Sequence, residues 1–440
     1  MDALGRHIIV EFYECSAEKI NDVHHIEKSM IRAAELAGAT IINSTFHHFS
    51  PFGVSGVIVI EESHLAIHTW PEYRFASLDL FTCGDSIDPW VSFDFLEKEF
   101  GAMHSSSIEL QRGQPHLLER ITLDTPQVRD TASKNTKPVT YNRNIWFTER
   151  DNNIALSLRH KGDPLYRKQS QYQRVEIIDT YAYGRALILD GMVMTTEQDE
   201  YVYHEMIAHI PLLTHPHPEK ILIIGGGDGG GAREALKHDS VNQVDLVEID
   251  ELVIESCKKY LPNLSQSFDH PNLNLYVQDG IEYMKKCSDN TYDVIIIDST
   301  DPVGPAEGLF TSEFYKDVYR CLKDDGIMVA QSESPHFNTK VFKEIYHCYG
   351  DIFGYGNVHP YLVYIPTYPS GMWSFSFCSK NNLHPVEDLD EHRSQEFSSK
   401  HHLKYYNPEI HKAAFMLPTF VRSILQHKED ESLKQETTSA

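Results

Sequence analysis

Five carboxylates stand at the ends of apolar runs in the middle of this 440-residue chain: Asp228, Glu248, Asp279, Asp298 and Asp301. Ile221–Ile224 leads into a glycine turn, GGGDGGG, that contains Asp228, and VDLVEID carries Glu248. Leu273–Val277 runs into Gln278-Asp279-Gly280, and DVIIID ends at Asp298 with STDPVGP, and so Asp301, behind it. Carboxylates packed together repel one another, so this grouping makes sense in a crevice filled by cations. An acid inside the glycine turn would repel a pyrophosphate, while an acid about twenty residues further on suits ribose hydroxyls. The ligand indicated is a nucleoside with positive charge. S-adenosylmethionine and its decarboxylated form, with a sulfonium and an amine, are of that kind.

A second set lies in Ser55–Gly84, SGVIVIEESHLAIHTWPEYRFASLDLFTCG. Taken singly, a serine after two glutamates reads as a surface turn, and a cysteine beside Gly84 as a small residue at a strand end. Together with STFHHF, the motifs SGVIVIEESH, IHTWPE and FTCG resemble the bacterial-type S-adenosylmethionine decarboxylases over Gly5–Gly84. The resemblance implies that the chain cuts itself between Glu62 and Ser63 and that Ser63 becomes a covalent pyruvoyl group. It also implies that Ser55 and His68 serve the processing and that Cys83 is the catalytic acid, with Ser63 and His68 in the catalytic set. The chemistry has a physical rationale. Decarboxylating an amino acid needs an electron sink, and a ketone that forms a Schiff base with the substrate amine supplies one as pyridoxal phosphate does. A hydroxyl that attacks the preceding carbonyl turns peptide into ester, and elimination then leads to the ketone, with proton transfers at each stage. A thiol can reprotonate the substrate carbon.

From about Asn144 to Leu425 the chain is similar to spermidine synthases, in YQRVEI, LILDG, TTEQDEYVYHEM, GGGDGG, EID, QDG, IIIDSTDP, IPTYPSG and LKYYN. That resemblance implies that Gln173, His204, Asp228, Glu248 and Asp279 contact decarboxylated S-adenosylmethionine, the co-substrate. Tyr203, Asp298, Asp301 and Tyr368 would hold a diamine acceptor, putrescine, with Asp298 as base. One subset of the family has glutamine where this chain has Met194, and position 204 varies between histidine and glutamine. The Pro/Gly-rich segment Ser299–Gly308 after the catalytic strand is expected to act as a gate.

These residues need a scaffold that places them. His7–Tyr13, Thr40–Phe49, Val54–Ile60, Leu65–Trp70, Phe75–Phe81 and Ser105–Leu110 read as strands. Ser16–Ala37 has helical spacing, and Asp88-Pro89 opens a second helix. The expected N-terminal fold is an α+β two-layer sandwich over residues 1–121. A polar linker, 122–144, follows. A small β domain over 145–205 has strands at Gln173–Thr180 and Arg185–Leu189, a hairpin turn at Asp190-Gly191, and an irregular stretch at Leu156–Tyr166. Asp199–His209 reads as a helix. A Rossmann-like doubly wound α/β domain then fills 206–426, built on strand, glycine turn and helix from Lys220. The stretch after Ser379 to about His402 reads as polar and acidic, Ala413–Leu425 as one final helix, and 427–440 as a disordered tail.

Composition narrows the classes. The net charge of −25 and the lack of a basic patch argue against nucleic acid. Seven scattered cysteines without C-x-x-C, and no signal peptide or long apolar stretch, suggest a cytoplasmic chain away from membranes. No metal site is expected: three residues separate Glu205 from His209 in His204-Glu205…His209, where the zinc motif has two. The joint reading is a bifunctional polyamine enzyme acting on S-adenosylmethionine and putrescine, and a homo-oligomer. Its rivals are a pyruvoyl domain acting on ornithine or arginine, and a non-catalytic oligomerisation module.

Overall fold

A computed structural model describes residues 4–83, 87–113, 145–150, 154–300 and 308–426. The expected linker and tail, and Asp301, lie outside the described residues. The chain divides into two compact units, Met1–Thr136 and Lys137–Ala440.

In the first unit six strands form one antiparallel sheet: β1 (Gly5–Tyr13), β2 (Ile41–His48), β3 (Val54–Ile60), β4 (Ser63–Trp70), β5 (Phe75–Thr82) and β6 (His104–Arg112), in the order β2-β3-β4-β5-β1-β6. Alternation puts Ile8, Val10, Leu65, Ile67, Leu78 and Leu80 on one face, where they share a core with Met30, Phe93 and Leu96. Those partners come from α1 (Val23–Leu36) and α2 (Pro89–Phe100). Each helix starts on an aspartate cap, Asp22 and Asp88, whose carboxylates accept backbone N–H groups. The helix expected from Ser16 thus begins at Val23, after a 3₁₀ turn over Lys19–Asn21.

The second unit opens with a sheet ordered β12-β11-β10-β8-β7, with β9 paired to β10. Its strands are β7 (Ile145–Arg150), β8 (Ala155–His160), β9 (Tyr166–Gln169), β10 (Arg174–Thr180), β11 (Gly184–Leu189) and β12 (Met192–Thr196). The Leu156–Tyr166 stretch is therefore not irregular throughout, because Leu156–His160 belongs to β8. Asp190 and Gly191 both have positive φ, 49° and 91°, as a two-residue hairpin turn requires.

Helix α3 (Glu200–Thr214) follows and runs across position 205, so the division placed there falls inside a helix. A seven-stranded sheet then has the order β15-β14-β13-β16-β17-β19-β18. Its strands are β13 (Lys220–Gly225), β14 (Gln243–Glu248), β15 (Leu273–Val277), β16 (Tyr292–Asp298), β17 (Leu322–Gln331), β18 (Val358–Tyr364) and β19 (Met372–Ser379). The first five are parallel, and β18 and β19 join antiparallel. Ile221, Ile223, Val294 and Ile296 point into one core with α3, whereas Leu222, Ile224, Ile295 and Ile297 point into another on the opposite face. Burial on both faces explains why these strands read as unbroken apolar runs.

Two expectations near the C-terminus change. The polar stretch after Ser379 contains a helix, Glu391–His401, capped by Asp390 and burying Ser394 and Ser398. The final helix is two, Pro408–Ala414 and Thr419–Leu425, because Pro418 between them cannot continue a helix.

Candidate active sites

The parallel strands end on one cavity of about 410 Å³, and Gln173, Asp228, Glu248, Asp279, Asp298 and Tyr368 are among its lining residues. Gly225 turns the chain out of β13 at φ +83°, and a side chain there would collide with the Asp298 carbonyl. A side chain at Gly230 would overlap the ring of His204, so the turn and α3 pack closely. Asp279 caps helix Gly280–Lys286 and accepts from the Ile281 N–H at 2.8 Å. Tyr203, on α3, donates its hydroxyl to Asp298 Oδ1 at 2.7 Å. Tyr368 donates to the backbone oxygen of Met194 at 2.8 Å, so that contact does not depend on which side chain stands at 194. Gln173 donates to Asp250 Oδ2 at 3.1 Å.

Charge in this cavity is unevenly compensated. His204 lies between Glu200, at 2.7 Å from Nδ1, and Asp228, at 3.3 Å from Nε2. Burial opposes its protonation, but the two carboxylates outweigh burial and hold its pKa well above the imidazole value. Burial also works against ionised Asp228, yet His204 and the Gly230 N–H keep its pKa below the usual carboxylate value. Glu248 accepts the Asp250 N–H at 2.8 Å but, among the described residues, pairs with no cation. Burial, with Asp250 and Asp298 nearby, pushes its carboxyl up to about 7. Burial and the Asp228 charge push Asp298 up to about 6, against the pull of His204 and Tyr203. A pocket with two carboxyls held this high gains from an incoming cation, which returns both to the charged form.

The first unit has a different site, at the tight turn between β3 and β4. Glu61 and Glu62 form the turn, and Ser63 opens β4 with φ +150°. The Glu62 carbonyl accepts the Cys83 N–H at 2.9 Å. Cys83 is exposed. Ser63 Oγ lies 3.2 Å from His64 Nδ1, and His64 Nε2 lies 3.0 Å from Asp79 Oδ2. Ser55 and His68 pair across β3 and β4, 2.6 Å from hydroxyl to Nδ1. They sit at the other end of the hairpin. Ser63 pairs with Ile60, and at about 3.3 Å per residue His68 lies about 16 Å along the strand from it. The fold therefore brings Ser63 and Cys83 together but keeps Ser55 and His68 of the same chain away.

The sequence of the second unit has close relatives. The polyamine aminopropyltransferase of Methanocaldococcus jannaschii is 52% identical over 284 residues, covering 64% of this chain and 95% of that protein. The chain belongs to the polyamine aminopropyltransferases. The aminopropyltransferase of Moorella thermoacetica is 46% identical over 290 residues, 66% of this chain and 99% of that one. Residues 200–388 match the spermine/spermidine synthase domain, and 145–197 the spermidine synthase tetramerisation domain. Residues 6–113 match S-adenosylmethionine decarboxylase, so this aminopropyltransferase also carries a decarboxylase domain. Among solved structures, spermidine synthase from Thermotoga maritima is 43% identical with a TM-score of 0.61, covering 67% of this chain and 99% of that one. A spermidine synthase in complex with the transition state analogue AdoDATO is 45% identical, also at a TM-score of 0.61, covering 64% and 94%.

The aminopropyltransferase cavity thus brings together Gln173, Tyr203, His204, Asp228, Glu248, Asp279, Asp298 and Tyr368. Asp301 and most of the expected gate lie outside the described residues. Three contributors were not anticipated. Buried Asp199 accepts from Thr196 at 2.5 Å and from the Thr367 N–H and hydroxyl at 3.0 and 2.7 Å, tying β12 to the loop that carries Tyr368. Glu200 and Arg233 pair at 2.8 Å behind His204. Only their place in TTEQDEYVYHEM and GGGARE hinted at this. His204 and His209 do not face each other: His209 faces His238 and Glu234, each at 3.1 Å, and Glu234 is linked to His204 only through Arg233 and Glu200. His215, Asp293 and Asp325 bring donor atoms within 4.8 Å of one another, but Asp293 already accepts from Lys323 and two backbone N–H groups. Among the described residues, no helix is long and apolar enough to cross a membrane.

Proposed function

We propose that this chain is a bifunctional polyamine enzyme. Its first unit decarboxylates S-adenosylmethionine, and its second transfers the aminopropyl group of that product to putrescine, giving spermidine and methylthioadenosine. The observation that carries the reading is the cavity at the strand ends, where buried carboxylates outnumber the cations that face them.

In the transfer, Glu248 and Asp279 hold the nucleoside and its amine, with Gln173, and with His204 acting through Asp228. Tyr203, Tyr368, Asp298 and Asp301 hold the diamine. Alkyl amines have a pKa of about 10.4, so the acceptor arrives charged at both ends and must lose one proton before it attacks. Asp298 takes that proton on Oδ2, since Oδ1 is held by Tyr203. The sulfonium leaves as a neutral thioether, so what the protein supplies is deprotonation and in-line alignment.

The residues of the first unit fit a self-made pyruvoyl group. Ser63 sits at a strained φ in a tight turn, and the carbonyl it must attack is polarised by the Cys83 N–H. Such a group supplies the electron sink for loss of CO₂. The Cys83 thiol, exposed beside the cleavage point, returns a proton to the substrate carbon. The decarboxylase domain runs over 1–121 and the linker over 122–144, and the aminopropyltransferase follows as a β domain that ends before α3 and a Rossmann-like domain from α3 to 426, in a cytoplasmic homo-oligomer. Product analysis with S-adenosylmethionine, ornithine and arginine offered in turn, each with and without putrescine, tests the assignment. CO₂ from S-adenosylmethionine alone is expected. CO₂ from ornithine or arginine would transfer the first unit to a different substrate.

A further inference from the structure

Within one chain, neither Ser55 nor His68, the side chains that the family resemblance assigned to processing, reaches Ser63 Oγ. Ser55 and His68 are paired with each other at the far end of the hairpin. The imidazole within reach of Ser63 Oγ is that of the next residue, His64, at 3.2 Å. Adjacent residues in a regular strand point to opposite faces, so a Ser–His neighbour pair does not ordinarily meet. The φ of +150° at Ser63 breaks that alternation at the mouth of the hairpin and lets the two side chains approach. The far nitrogen of His64 faces Asp79 at 3.0 Å, and Asp79 also faces His7 Nε2 at 3.3 Å. His7, on β1, is in turn 3.4 Å from Arg112 on β6. These groups lie on the side of the sheet away from α1 and α2, since Leu65 and Leu80, beside His64 and Asp79, face the core.

We propose that His64 is the catalytic base of self-cleavage and that Asp79, shared with His7, is the residue that positions it. This rests on the pyruvoyl reading above and adds a named residue to it. Ser63 Oγ gives its proton to His64 Nδ1 and forms a bond to the Glu62 carbonyl carbon, whose oxygen is held by the Cys83 N–H. The C–N bond between Glu62 and Ser63 then breaks, and His64 delivers the proton to the freed amine of Ser63. One O–C bond is made, one C–N bond is broken, and no other reactant is required. Asp79 fixes the imidazole so that the nitrogen facing Ser63 is the one free to accept, as the third member of a nucleophile–base–orienter set does.

The test follows appearance of the Met1–Glu62 fragment in the full chain by gel and mass spectrometry. It compares the parent with His64→Gln, His64→Ala, Asp79→Asn and Asp79→Glu. General base catalysis contributes about 10²–10⁴-fold, so His64→Gln and His64→Ala are expected to slow cleavage by at least about 100-fold. Asp79→Asn is expected to slow it less, with partial recovery in Asp79→Glu. Hydroxylamine, which cuts esters but not amides, is expected to release no fragment from the His64 variants, because the ester never forms. Hydrogen exchange of the backbone amides of β1, β4 and β5, slow in a folded first unit, reports that the variants have folded, and whichever His64 variant folds carries the test. A folded His64 variant that cleaves within tenfold of the parent overturns the proposal. Release of the fragment by hydroxylamine also overturns it, because the ester has then formed without His64. A parent chain that never cleaves sinks the pyruvoyl reading itself, so the two failures are distinguishable.

Discussion

Asp298 and Glu248 show how one cavity sets two carboxyls above their ordinary range for different ends. Asp298, pushed up to about 6 by burial and Asp228, accepts a proton only when ionised. The rate of transfer, measured as kcat/KM for putrescine, is therefore expected to fall as pH drops through about 6. In Asp298→Asn the rate should fall by about 10²–10⁴-fold and lose that acid limb. Persistence of the limb in the variant would assign it to another group. For Glu248 the consequence is in stability. Its folded pKa of about 7 exceeds the ordinary value of 4.5, so the native state holds this proton more tightly than the unfolded chain between those values. Stability then declines as pH rises through that window, by at most about 3 kcal/mol, and is flat above it. Glu248→Gln should flatten the decline in melting temperature between pH 5 and 8 in the ligand-free protein, and weaken binding of decarboxylated S-adenosylmethionine. The acids themselves were legible in the sequence, since each ends an apolar run. Their compensation was not: only the fold reveals that His204 faces Asp228 while Glu248 pairs with no cation among the described residues.

At the scale of elements, helix α3 and the loop after β18 are held by buried carboxylates. Asp199 joins Thr196 to Thr367, and Glu205 accepts the N–H groups of Lys404, Tyr405 and Tyr406 at 2.8 to 2.9 Å. The second set explains why LKYYN belongs with TTEQDEYVYHEM in one sequence pattern. Asp199→Ala should leave buried donors unpaired, at about 1–3 kcal/mol each, and lower the melting temperature. It should also raise KM for putrescine more than it lowers kcat, because Tyr368 loses its support. An unchanged KM would mean that the loop holds Tyr368 without Asp199. The main strands and α1 could be read from periodicity because an apolar face drives them. Helix Glu391–His401 buries only two serines, so it left no apolar stripe to read. Strand β8 was missed because only Leu158 and His160 of it are buried. The contact between Ser63 and His64 was hidden for a different reason: it depends on one non-glycine residue with positive φ, which no periodicity encodes.

For the whole molecule, the match of 145–197 to a tetramerisation domain leads to a prediction of assembly. Light scattering of the purified chain should give a mass that is a multiple of 50.5 kDa, and a monomer at micromolar concentration would contradict the proposed homo-oligomer. The joining of two activities also has a chemical logic, since the product of the first reaction is the donor of the second. That link is tested most directly by feeding the purified chain S-adenosylmethionine and putrescine and measuring CO₂, spermidine and methylthioadenosine together, for the parent and for Ser63→Ala. Equal amounts of all three are expected from the parent. Ser63→Ala should make spermidine only when decarboxylated S-adenosylmethionine is supplied. Spermidine formed from S-adenosylmethionine by the uncleaved Ser63→Ala chain, or none formed by the parent, would contradict the two-step assignment.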